Sequence, residues 1–282
     1  MSSTLLRVLF FLFFAFSVAC KKKETPPIPP VKVVPVVPVP VPVPIPVPVP
    51  IPVTVPGEEK TLIPIKLEID KVTINFKYLQ QTGNLTEIEN SDGTRELYLY
   101  NENNQLKEYD RYLKDQKVYA VYYKRDKDGQ VIQANQNKVE FNGAILTPPG
   151  IYKIEYNIDN KISKITWYDN DDQIVSQSTR TYGPSGALQK ISTTGVNAEV
   201  FTYTFDEKNG WCKHVKLNEI ISIESLNTLF LSSLSNMTKS IKESVIGSEI
   251  TKTYSYSADN YPTSWIETDA KGFNSLFKVT YK

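Results

Sequence analysis

A short unit recurs through the C-terminal two thirds of this sequence and leaves the chain few ways to fold. An aromatic residue is followed by a polar turn, and an apolar residue stands six positions after the aromatic. Tyr100 to Leu106, Tyr156 to Ile162, Tyr168 to Ile174, Tyr182 to Leu188, Phe205 to Trp211 and Tyr256 to Pro262 all have this form. Tyr123 to Val131 is a longer relative, with Asp128-Gly129 at its bend. The turns are rich in Asn, Asp and Gly, which tolerate positive φ or hydrogen-bond their own backbone. The flanks alternate, as in Tyr152, Ile154 and Tyr156. Alternation sends one set of side chains to a buried face and the other to water. The unit is a β-hairpin repeated in tandem.

After the turn, Ile162 and Ile165 share a spacing of three with Leu188 and Ile191. A strict strand lacks that spacing, so a bulge is expected there. One segment departs from the pattern. From Leu217 to Ile241, Phe230, Leu234, Met237 and Ile241 recur at helical spacing with no proline between them. One or two helices are expected there, packed on the sheet or capping an open end. The predicted fold is mainly β: an open, curved antiparallel β-meander of repeated hairpins, with a helical insert near 217–241. Its domain spans 61–282, ample to bury a core.

The N-terminal part cannot join that domain. Fourteen of the nineteen prolines lie between Pro26 and Pro56. Proline fixes φ and lacks a donor, and it keeps the residue before it out of the α region. The interleaved Val and Ile are stiff at χ1. Residues 20–60 therefore read as a polyproline II stalk behind the N-terminus; at about 3.1 Å per residue, thirty residues reach roughly 90 Å.

Before the stalk, Arg7 precedes an apolar run from Val8 to Phe16, then Ser17-Val18-Ala19 and Cys20. Positive charge, short apolar core and small residues make a secretory signal over 1–19. The run is too short for a transmembrane helix, which needs about 20 apolar residues. The cysteine directly after it resembles a bacterial lipobox. That resemblance implies a lipidated, N-terminal Cys20 and attachment to a membrane outside the cytoplasm. Lys21 stands where an aspartate commonly retains such proteins on the inner membrane, which favours the outer membrane.

Removing the signal removes Arg7 alone, so 32 − 1 = 31 basic residues face 31 acidic ones. A neutral chain has no basic footprint for nucleic acid. Lys21-Lys22-Lys23 sits beside the lipid, where each charge contributes about 1 kcal/mol against anionic headgroups. Cys212 is the one thiol left, so no internal disulfide forms, and beside Trp211 it reads as buried and inert.

The hairpin unit resembles the tyrosine-aspartate repeats of RHS-type proteins, over roughly Leu97 to Lys282. Together with Cys20 it is similar to Bacteroidetes-type envelope lipoproteins whose RHS-like domain has no assigned function. Within these units the dipeptide itself survives at Tyr168-Asp169, and the chain lacks the length to wind the large shell of those arrays.

The sequence holds no catalytic, cofactor or metal set. His214 is the single histidine, two residues from Cys212, too few ligands for zinc. Asp169, Asp171 and Asp172, like Asp126 and Asp128, lack the full loop of a calcium site and read as turns. Seventeen tyrosines and three tryptophans on a neutral domain suit glycan or protein contacts, although most must pack the sheet. The candidate platform is Tyr122, Tyr156, Trp167, Tyr182, Tyr203, Tyr254 and Trp265. The function expected is a cell-envelope lipoprotein displaying a non-catalytic structural or binding domain. Its partners are the membrane, through the lipid, and a glycan or envelope protein. The alternative is a hydrolase or accessory enzyme acting on envelope or environmental glycans through carboxylates distant in the chain.

Overall fold

The computed structural model describes residues 60–282, except 138, 142, 143, 148, 149, 197, 217, 226, 227, 232 and 233. The expected signal segment, Cys20 and the proline-rich stretch 26–56 lie outside the described residues.

Strands follow one another as hairpins. The first seven are β1 (Pro64–Ile69), β2 (Val72–Tyr78), β3 (Leu85–Asn90), β4 (Thr94–Tyr100), β5 (Leu106–Leu113), β6 (Gln116–Arg125) and β7 (Val131–Gln136). A small separate hairpin, β8 (Val139–Phe141) and β9 (Ala144–Thr147), interrupts them. Then come β10 (Gly150–Tyr156), β11 (Ile162–Tyr168), β12 (Ile174–Tyr182), β13 (Leu188–Gly195) and β14 (Glu199–Phe205). A helix, α1 (Asn218–Glu224), and a 3₁₀ turn at Thr228–Leu231 precede β15 (Met237–Lys242), β16 (Ile250–Tyr256), β17 (Pro262–Thr268) and β18 (Asn274–Tyr281).

The meander closes, which corrects the expectation of an open sheet. Sixteen strands form one antiparallel barrel, sealed where β1 pairs with β18 through Leu67↔Val279 and Ile69↔Phe277. Local alternation carries no record of a pairing between the two ends of the domain. Closure removes both sheet edges, whose bare N–H and C=O groups invite aggregation. Its curvature is aided by bulges at the hairpins, where the register shifts at Tyr78, Tyr100, Arg125, Tyr156, Tyr182, Phe205 and Tyr256.

The turns repeat one geometry. Asn101 Oδ1 accepts the N–H groups of Asn103 and Gln105, both at 3.0 Å. Asp126, Asn157, Asp169 and Asp269 do the same for the residues two and four beyond them. The residue three after each carboxylate or amide has positive φ: Asn104, Gly129, Asn160, Asp172 and Gly272. Asn and Asp serve equally in this Asx turn, so the aspartate of a Tyr-Asp dipeptide is replaceable at no geometric cost.

Tyrosines at or near the strand ends, among them the unit-opening Tyr100, Tyr156 and Tyr182, have their own task. At one end of the barrel the hairpin turns join β2 to β3, β4 to β5, and so on. The alternate gaps are stitched by phenols. Tyr78 donates to the carbonyl of Pro64 at 2.7 Å, Tyr100 to Leu85 at 2.7 Å, and Tyr156 to Val131 at 2.8 Å. Tyr182 donates to Ile162 at 2.7 Å, Tyr254 to Met237 at 2.8 Å, and Tyr281 to Pro262 at 2.9 Å. Between β5 and β6 the guanidinium of Arg125 substitutes, reaching Leu106 at 2.8 Å. Each carbonyl belongs to the first residue of a strand, so the ring of stitches holds that rim against fraying.

The helical insert of 217–241 is the second correction. The helix is seven residues long, and Met237 and Ile241 lie on β15, opposite Phe205 and Thr202. Their helical spacing is overridden because β15 must bridge β14 and β16 to complete the cylinder; tertiary pairing outweighs weak propensity. Nor does the segment cap an open end. The 206–236 connection folds into the barrel, where Trp211, Cys212, Val215, Ile220, Ile221 and Phe230 join the inward residues of the wall in one core. Trp211 lies 5.8 Å from Phe76 of β2 and 6.4 Å from Trp265 of β17 (ring centroids). Glu224 meets β5, β6 and β10 on another side. A segment touching strands all around a cylinder occupies its interior.

Outward faces carry ion pairs, with exposed apolar residues such as Leu99, Ile266 and Leu276 scattered among them. Lys77 pairs with Glu87 and Glu89, Lys164 with Glu155, Lys190 with Glu243 and Lys239 with Glu249. These residues alternate with the buried set, as Lys153 and Glu155 do with Tyr152 and Ile154.

Candidate functional site

The chemistry of the described residues concentrates where the inserted segment meets the wall. Glu224 ends helix α1, too short to stand alone in water. Its carboxylate accepts hydroxyl hydrogens from Tyr119 (3.0 Å), Tyr123 (3.2 Å) and Tyr152. Its carbonyl accepts Nη2 of Arg111 at 2.7 Å. Burial pushes the Glu224 carboxyl up from its ordinary range, and the three phenols partly offset this. Glu96 on β4 is also pushed up by burial; it accepts the Tyr98 hydroxyl at 2.8 Å and Ser225 Oγ at 3.4 Å. Helix α1 is thus clamped at its C-terminal end by two carboxylates and a tyrosine cluster.

Its N-terminal end is held differently. Glu219 accepts the N–H of Ile162 at 3.0 Å, at the first residue of β11. Elsewhere on the wall, the cross-strand partners Lys252 of β16 and Glu267 of β17 form an ion pair at 3.0 Å with the lysine almost fully buried. Cys212 is fully buried, and burial pushes its thiol up from its ordinary range, which disfavours the thiolate. His214 touches the Tyr261 hydroxyl through Nε2 at 2.6 Å, and that hydroxyl donates to the Lys60 carbonyl at 3.1 Å. Both residues hold the inserted segment. Among the described residues no cluster of three His, Cys, Asp or Glu could hold a metal.

The seven aromatics singled out in the sequence do not form one row. Tyr122 lies on the outer wall, half-buried beside Glu108. Tyr156, Tyr182 and Tyr254 are half-buried and donate the stitches described above. Trp167 packs on Tyr152 at 6.1 Å, and Tyr203 stacks on Phe201 at 6.4 Å. Trp265 is 1% exposed and stacks on Phe277 at 4.9 Å, which leaves it no face for a ligand. Sequence reasoning missed Glu224, Glu96 and Arg111. The signal was present in β5 and β6, where alternate inward positions carry Tyr109 and Arg111, and Tyr119 and Tyr123; a wall so polar on its inner face needs a polar occupant.

No protein-family model matches this chain, and no curated protein does. Among solved structures it is similar to a porin-like protein from Bacteroides uniformis, with 15% identity and a TM-score of 0.54, covering 78% of this chain and 98% of that one. At that identity the likeness is one of fold: a closed antiparallel barrel. A TcdB2–TccC3 structure matches 73% of this chain with 15% identity and a TM-score of 0.28. The Photorhabdus luminescens Tc holotoxin pore matches 70% with 14% identity and a TM-score of 0.32. This chain spans about a tenth of those two chains.

Proposed function

We propose that this protein is a non-catalytic component of the cell envelope: a water-facing, filled barrel held at a membrane by lipid on Cys20 and set off from it by the stalk 26–56. The barrel serves as a structural or binding platform for a glycan or an envelope protein. The observation that carries this reading is the combination of wall and filling. A membrane barrel turns an apolar band about 25 Å tall to the lipid, and each Lys or Arg at its midplane costs about 2–4 kcal/mol. This wall carries ion pairs on β2, β3, β10, β11, β13 and β15. Its lumen holds Trp211, Cys212, Val215, Ile220, Ile221 and Phe230 with their aromatic partners. The porin-like neighbour supports the barrel and, through its printed description, an envelope setting. For a hydrolase, Glu96, Asp110 and Glu224 are the buried carboxylates to consider among the described residues, but Glu96 and Glu224 are engaged in clamping helix α1 and Asp110 is paired with Lys117.

The test is membrane fractionation of the Cys20→Ala variant with alkaline carbonate extraction. The variant is expected in the soluble fraction, while wild type stays with the membrane. Retention of the variant after carbonate treatment would mean that the barrel itself inserts, and the reading fails.

A further inference from the structure

Sixteen strands leave eight alternate gaps in the wall that no hairpin turn closes at the stitched rim. All eight share one geometry: the first two residues of the leading strand have no partner on the strand that follows. Pro64 and Ile65 of β1 and Leu85 and Thr86 of β3 are examples. Seven of these splayed ends are bridged by a phenol or by Arg125. The gap between β13 and β14 differs. Its ladder stops at Lys190↔Thr202, and β14 ends in Phe205, which has no hydroxyl to offer Leu188.

A groove of about 690 Å³ lies at this opening, lined by Gln189 of β13 and by Tyr203 and Phe205 of β14. Adjoining it is a cavity of about 170 Å³ that shares Phe205 and Leu234 with the groove and reaches Leu188. Half-buried Phe205 and Tyr203, with ring centroids 6.5 Å apart, bring aromatic surface to the groove. Exposed Gln189 supplies an amide, half-buried Ser235 a hydroxyl and exposed Glu207 a carboxylate. The other charges of the lining are engaged: Asp206 by Tyr256, Lys208 by Asn260 and Lys213 by Asn209.

Aromatic surface flanked by a few directional polar groups is the make-up of a small-ligand site, and the volume falls in the usual range of roughly 300–1,000 Å³. A sugar ring answers both halves. Its C–H face packs on an aromatic ring, and its hydroxyls donate and accept at once. It also brings the group this gap lacks, a hydroxyl for a bare strand end. We infer that the groove between β13 and β14 binds a neutral glycan, with a sugar ring against Phe205 and Tyr203 and its hydroxyls on Gln189, Ser235 and the splayed backbone. Glu207 opposes acidic sugars by like charge. The inference rests on the binding reading above and gives it a place and a ligand class.

The test is an array of neutral and uronate-bearing oligosaccharides, probed with the full chain in a polyoxyethylene detergent that carries no sugar headgroup. Each neutral sugar that binds is then titrated by calorimetry. At least one is expected to bind saturably, and its uronate-bearing counterpart about tenfold or more weakly, since like charges in contact are costly. Phe205→Tyr installs the missing bridge to Leu188. It is expected to weaken binding about tenfold, by taking the place of a ligand hydroxyl, while the melting temperature holds or rises. Gln189→Ala, at an exposed position, is expected to weaken binding several-fold, and it decides the matter should Phe205→Tyr fail to fold. No neutral sugar bound, uronates bound as tightly, or undiminished binding by either folded variant overturns the inference. Membrane release of Cys20→Ala is read without any sugar, so the two readings fail separately.

Discussion

Glu224 shows how one residue can hold an element that has little stability of its own. Three phenols and a guanidinium converge on it from β5, β6 and β10. Its carboxyl is raised by burial, so the folded state binds its proton more tightly than the unfolded state does. Stability from this group is therefore full below the unfolded carboxylate pKa and is lost as pH rises through the folded one. Glu224→Gln removes that loss. Its melting temperature is expected to exceed wild type near neutral pH, with the difference shrinking toward pH 4; a difference constant across the range refutes the assignment. Glu224→Leu instead strands the donors and is expected to cost about 3–5 kcal/mol in denaturant unfolding. The stitches are individually smaller. Tyr100→Phe, which leaves the Leu85 carbonyl without its phenol, is expected to cost about 1 kcal/mol in denaturant unfolding.

At the scale of elements, the inserted connection 206–236 is the barrel's core as much as its strands are. Trp211, Phe230 and Ile221 are buried among Phe76 and Trp265. Truncating each such side chain costs about 2–5 kcal/mol, and together they rival the 5–15 kcal/mol of a typical domain. Replacing 206–236 by a five-residue turn like 157–161 is therefore expected to abolish the cooperative thermal transition. Near-ultraviolet dichroism should collapse while β content persists, the signature of a loosened core. A sharp transition in the excised barrel would show that the wall packs without its filling.

For the whole molecule, closure and charge act together. A closed cylinder has no edge through which copies can pair, and in the proposed function the wall of ion pairs faces water. Planar-bilayer recordings of the full chain are expected to give no steps of conductance; reproducible steps would mean an open lumen. The stalk proposed over 26–56 is tested by length. X-ray scattering of the full chain is expected to give a maximum dimension tens of ångströms beyond that of residues 60–282, since about thirty extended residues reach roughly 90 Å.

By itself the sequence determined most of the hairpins, their turns and their bulges, because each depends on residues within one unit: Asn101, Asp126 or Asn157 hold turns with atoms a few positions away; the unit Phe205 to Trp211 is the exception, since β14 leads into the inserted segment and Trp211 joins the core instead of opening a strand. The alternation of Tyr152 and Ile154 with Lys153 and Glu155 likewise marked which face meets water. The number of strands needed to close, and the pairing of Leu67 with Val279, depend on curvature summed over the whole chain, and no window of residues carries that sum. The same holds for Met237 and Ile241, whose spacing read as helix until β14 and β16 required a strand between them. The clamp on Glu224 was illegible for a related reason: its partners Arg111, Tyr119 and Tyr152 stand on one stretch of the wall, β5, β6 and β10, and reach Glu224 only because the inserted segment folds into the lumen, so tertiary structure alone decided that an acid near the end of a short helix would be its fastening.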